Sequence, residues 1–489
     1  MAAYLRGKDW PGEIDIYDAR LSGTLRTDDR SNLRFGDSRQ TMTERIGASS
    51  PDVVAISNMF SWQIEQAFDM AALAKTVCPD ATVIFGGPHA SSFPEDTLAM
   101  DGVDYVFMGE GEERLYNFLL KHEKGEEIGI QGVIGKNEDL KLLKPSKKTP
   151  IDFINPLDDL PIPAYDLVDV DRYFHLQANG FSPRAREWGK RAATLLTSRG
   201  CPHQCIFCSI QATMGYAWRY HSAAYLEKHI AYLADECEID FIHFEDDNFT
   251  HDAKRYDEIL DILLAREKKI PWDTPNGIRG DTWTLERVRR TKSSQCQYLV
   301  VAIESAVQRV VDEVVKKRLD LKKVTELMDY CRECDLRLNA FYVIGLPGET
   351  TEEIEYTVKY AMDSYDRFGV YPTISMAIPL PGTELFDMTV ENHLYDGELK
   401  YQANQISTKE FNPEIIKKIY EDSMRRKLSI FLKKTVTSPR EFKYNMRLVL
   451  QYRSMAKNVL HNGLRGAWSH LKQLIGAESN LTISGEGSQ

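Results

Sequence analysis

Several common features are missing from this chain of 489 residues. It has no run of about 18 apolar residues, the length a helix needs to cross a bilayer. Its N-terminus lacks the basic-then-apolar pattern of an export signal. Cysteine is sparse, at Cys78, Cys201, Cys205, Cys208, Cys237, Cys296, Cys331 and Cys334. Most of these stand apart, which excludes a disulfide framework and points to a reducing cytoplasm. Neither an internal repeat nor a low-complexity tract is present, and Ser479–Gln489 reads as a frayed tail. The composition, 43% hydrophobic and 27% charged, is that of a globular protein with room for several domains.

The chemistry is concentrated in Arg199-Gly200-Cys201-Pro202-His203-Gln204-Cys205-Ile206-Phe207-Cys208. The three thiols follow a C-x3-C-x2-C spacing and no fourth cysteine lies near. Structural zinc wants four ligands, and an iron–sulfur cube normally takes four thiolates. Three thiolates can hold three irons and leave the fourth open to a substrate or cofactor. Zinc completed by a distant residue, or free thiols, are the bland alternatives. With Phe207 before the last cysteine, the motif resembles the signature of the radical S-adenosylmethionine (SAM) enzymes. That resemblance implies a 4Fe-4S cluster on Cys201, Cys205 and Cys208, with SAM chelating the open iron. Reductive cleavage of SAM would then yield a 5′-deoxyadenosyl radical.

Upstream, residues 1–135 alternate between short apolar β-branched runs and helical patterns. Ile14–Asp18, Val53–Ser57, Thr82–Phe85 and Asp104–Phe107 read as strands, and Gln63–Thr76 and Glu112–Lys121 as helices. Such alternation predicts an open parallel sheet with its ligand at the carboxyl ends of the strands. The loops there are Ser57-Asn58-Met59, Gly86-Gly87-Pro88-His89 and Gly109-Glu110-Gly111-Glu112. Together they resemble the Rossmann-like cobalamin-binding domain that precedes many radical SAM enzymes. The resemblance implies cobalamin against Ser57, Gly86, Gly87, His89, Gly109, Glu110 and Gly111. No histidine has an Asp two places before it, so the histidine-on-cobalt motif is absent and base-off cobalamin is implied. Met1–Arg6 looks like the middle of this domain's first helix, so the first strand is apparently missing and a truncated start is expected.

Residues 136–192 read as a connector, with a Lys-rich loop (Lys141–Lys148) and an extended stretch enforced by Pro161 and Pro163. In residues 193–390 six further strands are expected: Thr194–Thr197, Phe241–Phe244, Trp272–Ile278, Tyr298–Ile303, Asn339–Ile344 and Thr373–Ala377. With helices between them they predict a partial (β/α)6 barrel whose functional groups gather at the C-terminal strand ends. The motifs fall there. Asp246 and Asp247 end the second strand and match a family element near the SAM amino group, capping of a helix near His251 being the alternative. Glu304 and Ser305 end the fourth strand, matching an element beside the ribose or methionine of SAM, with Arg279 as a possible partner for a buried carboxylate. Gly345, Gly348 and Glu349 form a turn that the family places beside adenine, and Pro379-Leu380-Pro381-Gly382-Thr383 follows the sixth strand. Cys331 and Cys334 share a helix face and read as buried thiols.

Residues 391–489 form a helical, basic C-terminal region. Met424–Lys472 holds twelve Lys or Arg and one acid, Glu441, a net charge near +11 in a chain of −12, so the remainder carries about −23. Helices packed on the barrel are one reading of it; an amphipathic surface for anionic membrane, carrying Tyr444, Leu448, Tyr452, Met455 and Leu460, is another. No nucleic-acid module is recognisable. The resemblance implies cobalamin-dependent methylation of an unactivated carbon in a small-molecule or lipid-like substrate, with an external donor such as flavodoxin or ferredoxin. A cobalamin-binding radical cyclase, oxidoreductase or rearrangement enzyme stays open, as more remotely does a sensor or electron-transfer protein.

Overall fold

The computed structural model describes residues 1–27, 33–136, 152–177, 191–399, 405–439, 441–443 and 445–446. They divide into two compact units. The first comprises Met1–Leu176, Arg191–Ile278 and Pro379–His393; the second is built on Arg279–Ile378 together with the helix Pro413–Thr437.

The first unit opens with helix α1 (Ala2–Gly7) and a hairpin of β1 (Leu25–Thr27) and β2 (Leu33–Phe35). A four-stranded sheet follows: β3 (Val53–Ser57), β4 (Thr82–Gly86), β5 (Tyr105–Phe107) and β6 (Val133–Gly135), in that order. The first three strands are parallel and β6 runs antiparallel to β5, so the sheet is mixed where a parallel one was expected. Period-two alternation divides β4 between two cores. Val83 and Phe85 pack with Ala71 and Ala74 of helix α2 (Ile64–Val77), while Ile84 packs with Leu115 and Phe118 of helix α3 (Glu112–Glu123). Ile14–Asp18 is not a strand. Its residues are irregular and lead into a short 3-10 turn at Ala19–Ser22. Among the described residues β3 pairs only with β4, so the run of Ile14 has no sheet neighbour to satisfy its backbone.

The connector is extended around its prolines, with 3-10 turns at Leu157–Asp159 and Tyr165–Leu167; Lys141–Lys148 lies outside the described residues. Three parallel strands then lie side by side in the order β7 (Ala192–Leu195), β10 (Phe241–Phe244) and β11 (Trp272–Ile278). Between β7 and β10 a two-stranded antiparallel pair, β8 (Ser198–Arg199) and β9 (Arg219–Tyr220), closes the base of a loop. Helices α4 (Ala223–Asp235) and α5 (Ala253–Ala265) alternate with the strands.

In the second unit β12 (Cys296–Glu304), β13 (Arg337–Ile344) and β14 (Tyr371–Met376) are parallel neighbours. Helix α6 (Thr351–Phe368) starts on a reciprocal cap between Thr350 and Glu353. All six barrel strands are therefore present. The first spans Ala192–Leu195 rather than Thr194–Thr197: Ala192 and Ala193 already pair with Phe241 and Ile242, and the strand stops at Leu195 because the Thr197 amide bonds Asp246.

Helix α7 (Pro413–Thr437) begins with Asn412 as cap and Pro413 in its first turn. From Met424 onward its cations are engaged within the chain. Lys427 is buried with Nζ 4.6 Å from the Tyr371 ring centre, Lys433 pairs with Asp366 at 2.9 Å, and Arg425 pairs with Asp422 at 2.8 Å. This half of the basic stretch packs on its own unit. Tyr444, Leu448, Tyr452, Met455 and Leu460 lie outside the described residues.

Candidate active site

The three cysteines lie in the loop closed by β8 and β9. Gly200 starts the loop at φ +81, and a Cβ there would stand 2.4 Å from the Ala217 carbonyl oxygen, so only glycine fits. Ile206 is buried and anchors the loop through its carbonyl to the Leu385 amide (2.8 Å); Phe207 is half-buried. The Cys208 amide donates to the Cys205 carbonyl at 3.0 Å, and Asn248 Nδ2 lies 3.6 Å from Cys201 Sγ. Burial, with Cys205 and Cys201 alongside, pushes the Cys208 thiol up to about 12. A thiolate therefore needs a metal's charge to form there. Among the described residues no three His, Cys, Asp or Glu converge on a single metal position. The donor set, three thiols in one loop, is the chemistry of a cube bound by one thiolate per iron.

The two aspartates after β10 part company. Asp246 Oδ1 accepts from the Thr197 amide (2.9 Å), the Thr197 hydroxyl (2.8 Å) and the Ser198 hydroxyl (2.5 Å), and burial raises its pKa. It therefore braces the chain entering the cluster loop. Asp247 is half-buried and accepts from the Gly200 amide at 3.3 Å; burial, then Asp246, raise it to about 6. Neither caps the following helix, whose cap is Asp252.

In the second unit Glu304 occupies a bulge at φ +70 and is buried. Its partner is Lys317 at 2.7 Å, whose Nζ also donates to the Ala302 carbonyl; Arg279 pairs with Asp281 instead. Lys317 escaped the sequence reading, and its signal was the Lys316-Lys317-Arg318 triplet, whose middle member is buried. Ser305 is fully buried, with its hydroxyl 3.0 Å from that of Thr357, so it braces the start of the next segment rather than opening to a ligand. Gly345, at φ +84, is faced by Ile416 of α7, 3.3 Å from where a Cβ would sit, and Gly348 is faced by Val314 at the same distance. Close approach at these glycines is to protein. Glu349 Oε2 accepts from the Leu346 amide at 2.7 Å, while its Oε1 is buried without a hydrogen-bond partner. Burial pushes Glu349 up to about 8.

The N-terminal loops meet at the carboxyl ends of β3, β4 and β5. Ser57 is exposed. The Asn58 amide donates to the Gly86 carbonyl at 2.9 Å, and Gly87, at φ +107, would place a Cβ 2.2 Å from the Asn58 carbonyl oxygen. Gly109 donates to the Ser91 hydroxyl at 3.0 Å, and Gly111 precedes α3. Met59, Phe60 and Trp62 stand exposed beside them, and Asn58 Oδ1 is buried without a hydrogen-bond partner. An uncovered apolar rim with an orphan amide oxygen suits a broad ring edged by amide arms, as a corrin is. His89 is buried among Phe68 and Phe93 with Nδ1 3.0 Å from the Ser61 hydroxyl, and burial lowers its pKa. It is a packed histidine. Glu110 is also buried, its carboxylate engaged by Arg199 (3.1 Å), Arg219 (2.9 Å) and the Ile154 amide (3.0 Å). Its side chain is therefore unavailable to a corrin.

Two family models match the chain: the B12 binding domain over residues 2–119 and the radical SAM superfamily over residues 195–361. The cytidylyl-2-hydroxyethylphosphonate methyltransferase of Streptomyces wedmorensis is 31% identical over 420 residues, covering 79% of this chain and 76% of that protein. The chain belongs to the cobalamin-binding radical SAM enzymes. A 4Fe-4S cluster, SAM and cobalamin are accordingly its cofactors, and its radical chemistry needs a reductant. The radical SAM enzyme OxsB shares the fold, with TM-score 0.66, 17% identity and coverage of 97% of this chain and 71% of its own. TsrM of Kitasatospora setae shares it too, with TM-score 0.60, 14% identity and coverage of 80% and 81%. In this radical SAM enzyme the first unit brings the cluster loop, Asp247 and the N-terminal loops together, while Glu304, Ser305, Gly345, Gly348 and Glu349 belong to the second. No described helix is long and apolar enough to cross a membrane.

Proposed function

We propose that this enzyme methylates an unactivated carbon of a small molecule, one SAM supplying the methyl group through cobalamin and another the radical that removes the substrate hydrogen. The observation that carries this reading is the junction within the first unit. The Gly109–Glu112 turn at the corrin-facing strand ends is ion-paired to Arg199 at the entrance of the cluster loop. Likeness to a relative named a methyltransferase supports the same reaction. Residues 1–135 serve as the cobalamin domain, 136–192 as connector, 193–390 as the radical SAM barrel and 391–489 as a helical flank.

In this reading Cys201, Cys205 and Cys208 hold three irons, with Phe207 shielding their edge. Asp247 holds the SAM amino group, and Glu304, paired with Lys317, orients its ribose or methionine portion. Glu349, protonated at neutral pH, stands at the adenine end. A flavodoxin- or ferredoxin-type donor supplies electrons, and the scattered cysteines suit a reducing cytoplasm. Because the cations of α7 from Met424 onward are engaged within the chain, they do not favour a lipid-like substrate or a membrane contact.

The test uses anaerobically reconstituted enzyme, reductant, methyl-labelled SAM and a panel of small molecules, with and without cobalamin. Label transfer accompanied by S-adenosylhomocysteine and 5′-deoxyadenosine, all requiring cobalamin, is expected. Deoxyadenosine formed with a converted but unlabelled product would replace methyl transfer by a non-methylating radical reaction.

A further inference from the structure

Arg199 and Arg219 are direct cross-strand partners in the antiparallel pair that closes the cluster loop. Like charges placed opposite each other push strands apart. Here the two guanidinium groups are also withdrawn from water, with side-chain exposures of 18% and 4%. Between them sits one carboxylate from another domain. Glu110 Oε1 lies 3.1 Å from Arg199 Nη1 and 2.9 Å from Arg219 Nη2, while Oε2 accepts from Arg219 Nη1 at 3.0 Å and from the Ile154 amide at 3.0 Å. Arg219 continues the clamp into the loop, donating to the Met214 carbonyl at 2.9 Å and to the Ile154 carbonyl at 2.8 Å, and stacking over Phe153. Phe153 in turn packs against Gly215, whose carbonyl accepts from the Cys201 amide at 3.3 Å.

We infer that Glu110 is the counter-ion that holds the neck of the cluster loop shut, so that the cobalamin-binding domain sets the spacing of the cluster cysteines and thereby the stability and potential of the cluster. The inference rests on the reading of Cys201, Cys205 and Cys208 as cluster ligands. Glu110 touches neither iron nor substrate and is a positioning residue. Without its charge, the two arginines lose the one carboxylate that joins them, the strands part, and Cys201 moves away from Cys205 and Cys208. Glu112 is the natural comparison. It pairs with Arg199 at 2.8 Å but leaves Arg219 untouched, so its removal leaves the two arginines still joined by Glu110.

The experiment reconstitutes the full chain anaerobically as wild type, Glu110→Gln, Glu112→Gln, Glu110→Gln/Arg219→Met and Cys201→Ala. Iron release to a chelator and the cluster's midpoint potential are then measured. Glu110→Gln is expected to release iron at least about tenfold faster than wild type, the ratio corresponding to ~1.4 kcal/mol. Its potential rises, because a negative charge near the cluster is gone. Glu112→Gln releases iron closer to the wild-type rate. The double variant, with one arginine left at the neck, recovers much of the retention, which a generally unfolded Glu110→Gln protein would not do. Wild-type release and potential in Glu110→Gln, or a double variant no better than the single, overturns the inference. Cys201→Ala separates the two readings: if it keeps a normal cluster, the ligand assignment is wrong and not merely the clamp.

Discussion

Glu349 makes the second unit's stability depend on pH in a direction opposite to most carboxylates. Its side chain is completely buried at the end of β13, one oxygen accepting from the Leu346 amide and the other without a hydrogen-bond partner. The nearby charges are Glu353, which raises its pKa, and Arg309, which lowers it, and those two pair with each other at 2.5 Å. Burial dominates and lifts the pKa from 4.5 to about 8. Between those values the folded state binds more protons than the unfolded state, so stability is fully present below the lower value and is lost as pH rises through the upper one. The slope approaches ~1.4 kcal/mol per pH unit, or about 2 kcal/mol between roughly pH 6 and pH 7.5. Glu349→Gln has no proton to lose. Denaturant unfolding of both proteins at the two pH values checks this: the stability of wild type relative to Glu349→Gln should fall by about 2 kcal/mol over that interval. A difference that does not change with pH would refute the reasoning, because it would mean that the folded carboxyl ionises as it does in the open chain.

Further outcomes follow from single contacts. Lys317→Met should destabilise the second unit by about 3–5 kcal/mol, since it leaves the buried Glu304 without its ion-pair partner, while Lys317→Arg should cost less; urea midpoints decide this. Gly87→Ala places a Cβ against the Asn58 carbonyl at a positive φ, so a cobalamin titration followed by absorbance should show weakened binding, with about 1–3 kcal/mol of strain in the first unit. Cys334→Ser should reconstitute with the same iron content as wild type, because Cys334 caps a helix of the second unit whereas the cluster loop belongs to the first.

Strand–helix alternation made most elements legible in the sequence, because a short apolar run bounded by polar residues, such as Val53–Ser57 or Phe241–Phe244, reads the same in any tertiary context. Ile14–Asp18 misled for the complementary reason: a strand needs a neighbour, and a local pattern does not reveal whether one exists. β6 and the β8–β9 pair were invisible because two or three residues carry no periodicity. The cluster loop was legible because its chemistry resides in the spacing of one short segment. Partners distant in sequence were not. Nothing near Glu304 pointed to Lys317, and nothing near Glu110 suggested that its carboxylate would close a salt bridge to Arg199 and Arg219. His89 and Ser305 lie in motifs that match the family by order, yet both side chains are packed and hydrogen-bonded inside the protein.

The most direct test is to quantify 5′-deoxyadenosine from SAM under strictly anaerobic, reducing conditions, comparing the wild type with the variant in which Cys201, Cys205 and Cys208 are all Ala. Steady formation by the wild type and none by the triple variant, which should still fold and bind cobalamin, is the expected result. Equal formation by both proteins would contradict the assignment of those three thiols as the cluster site.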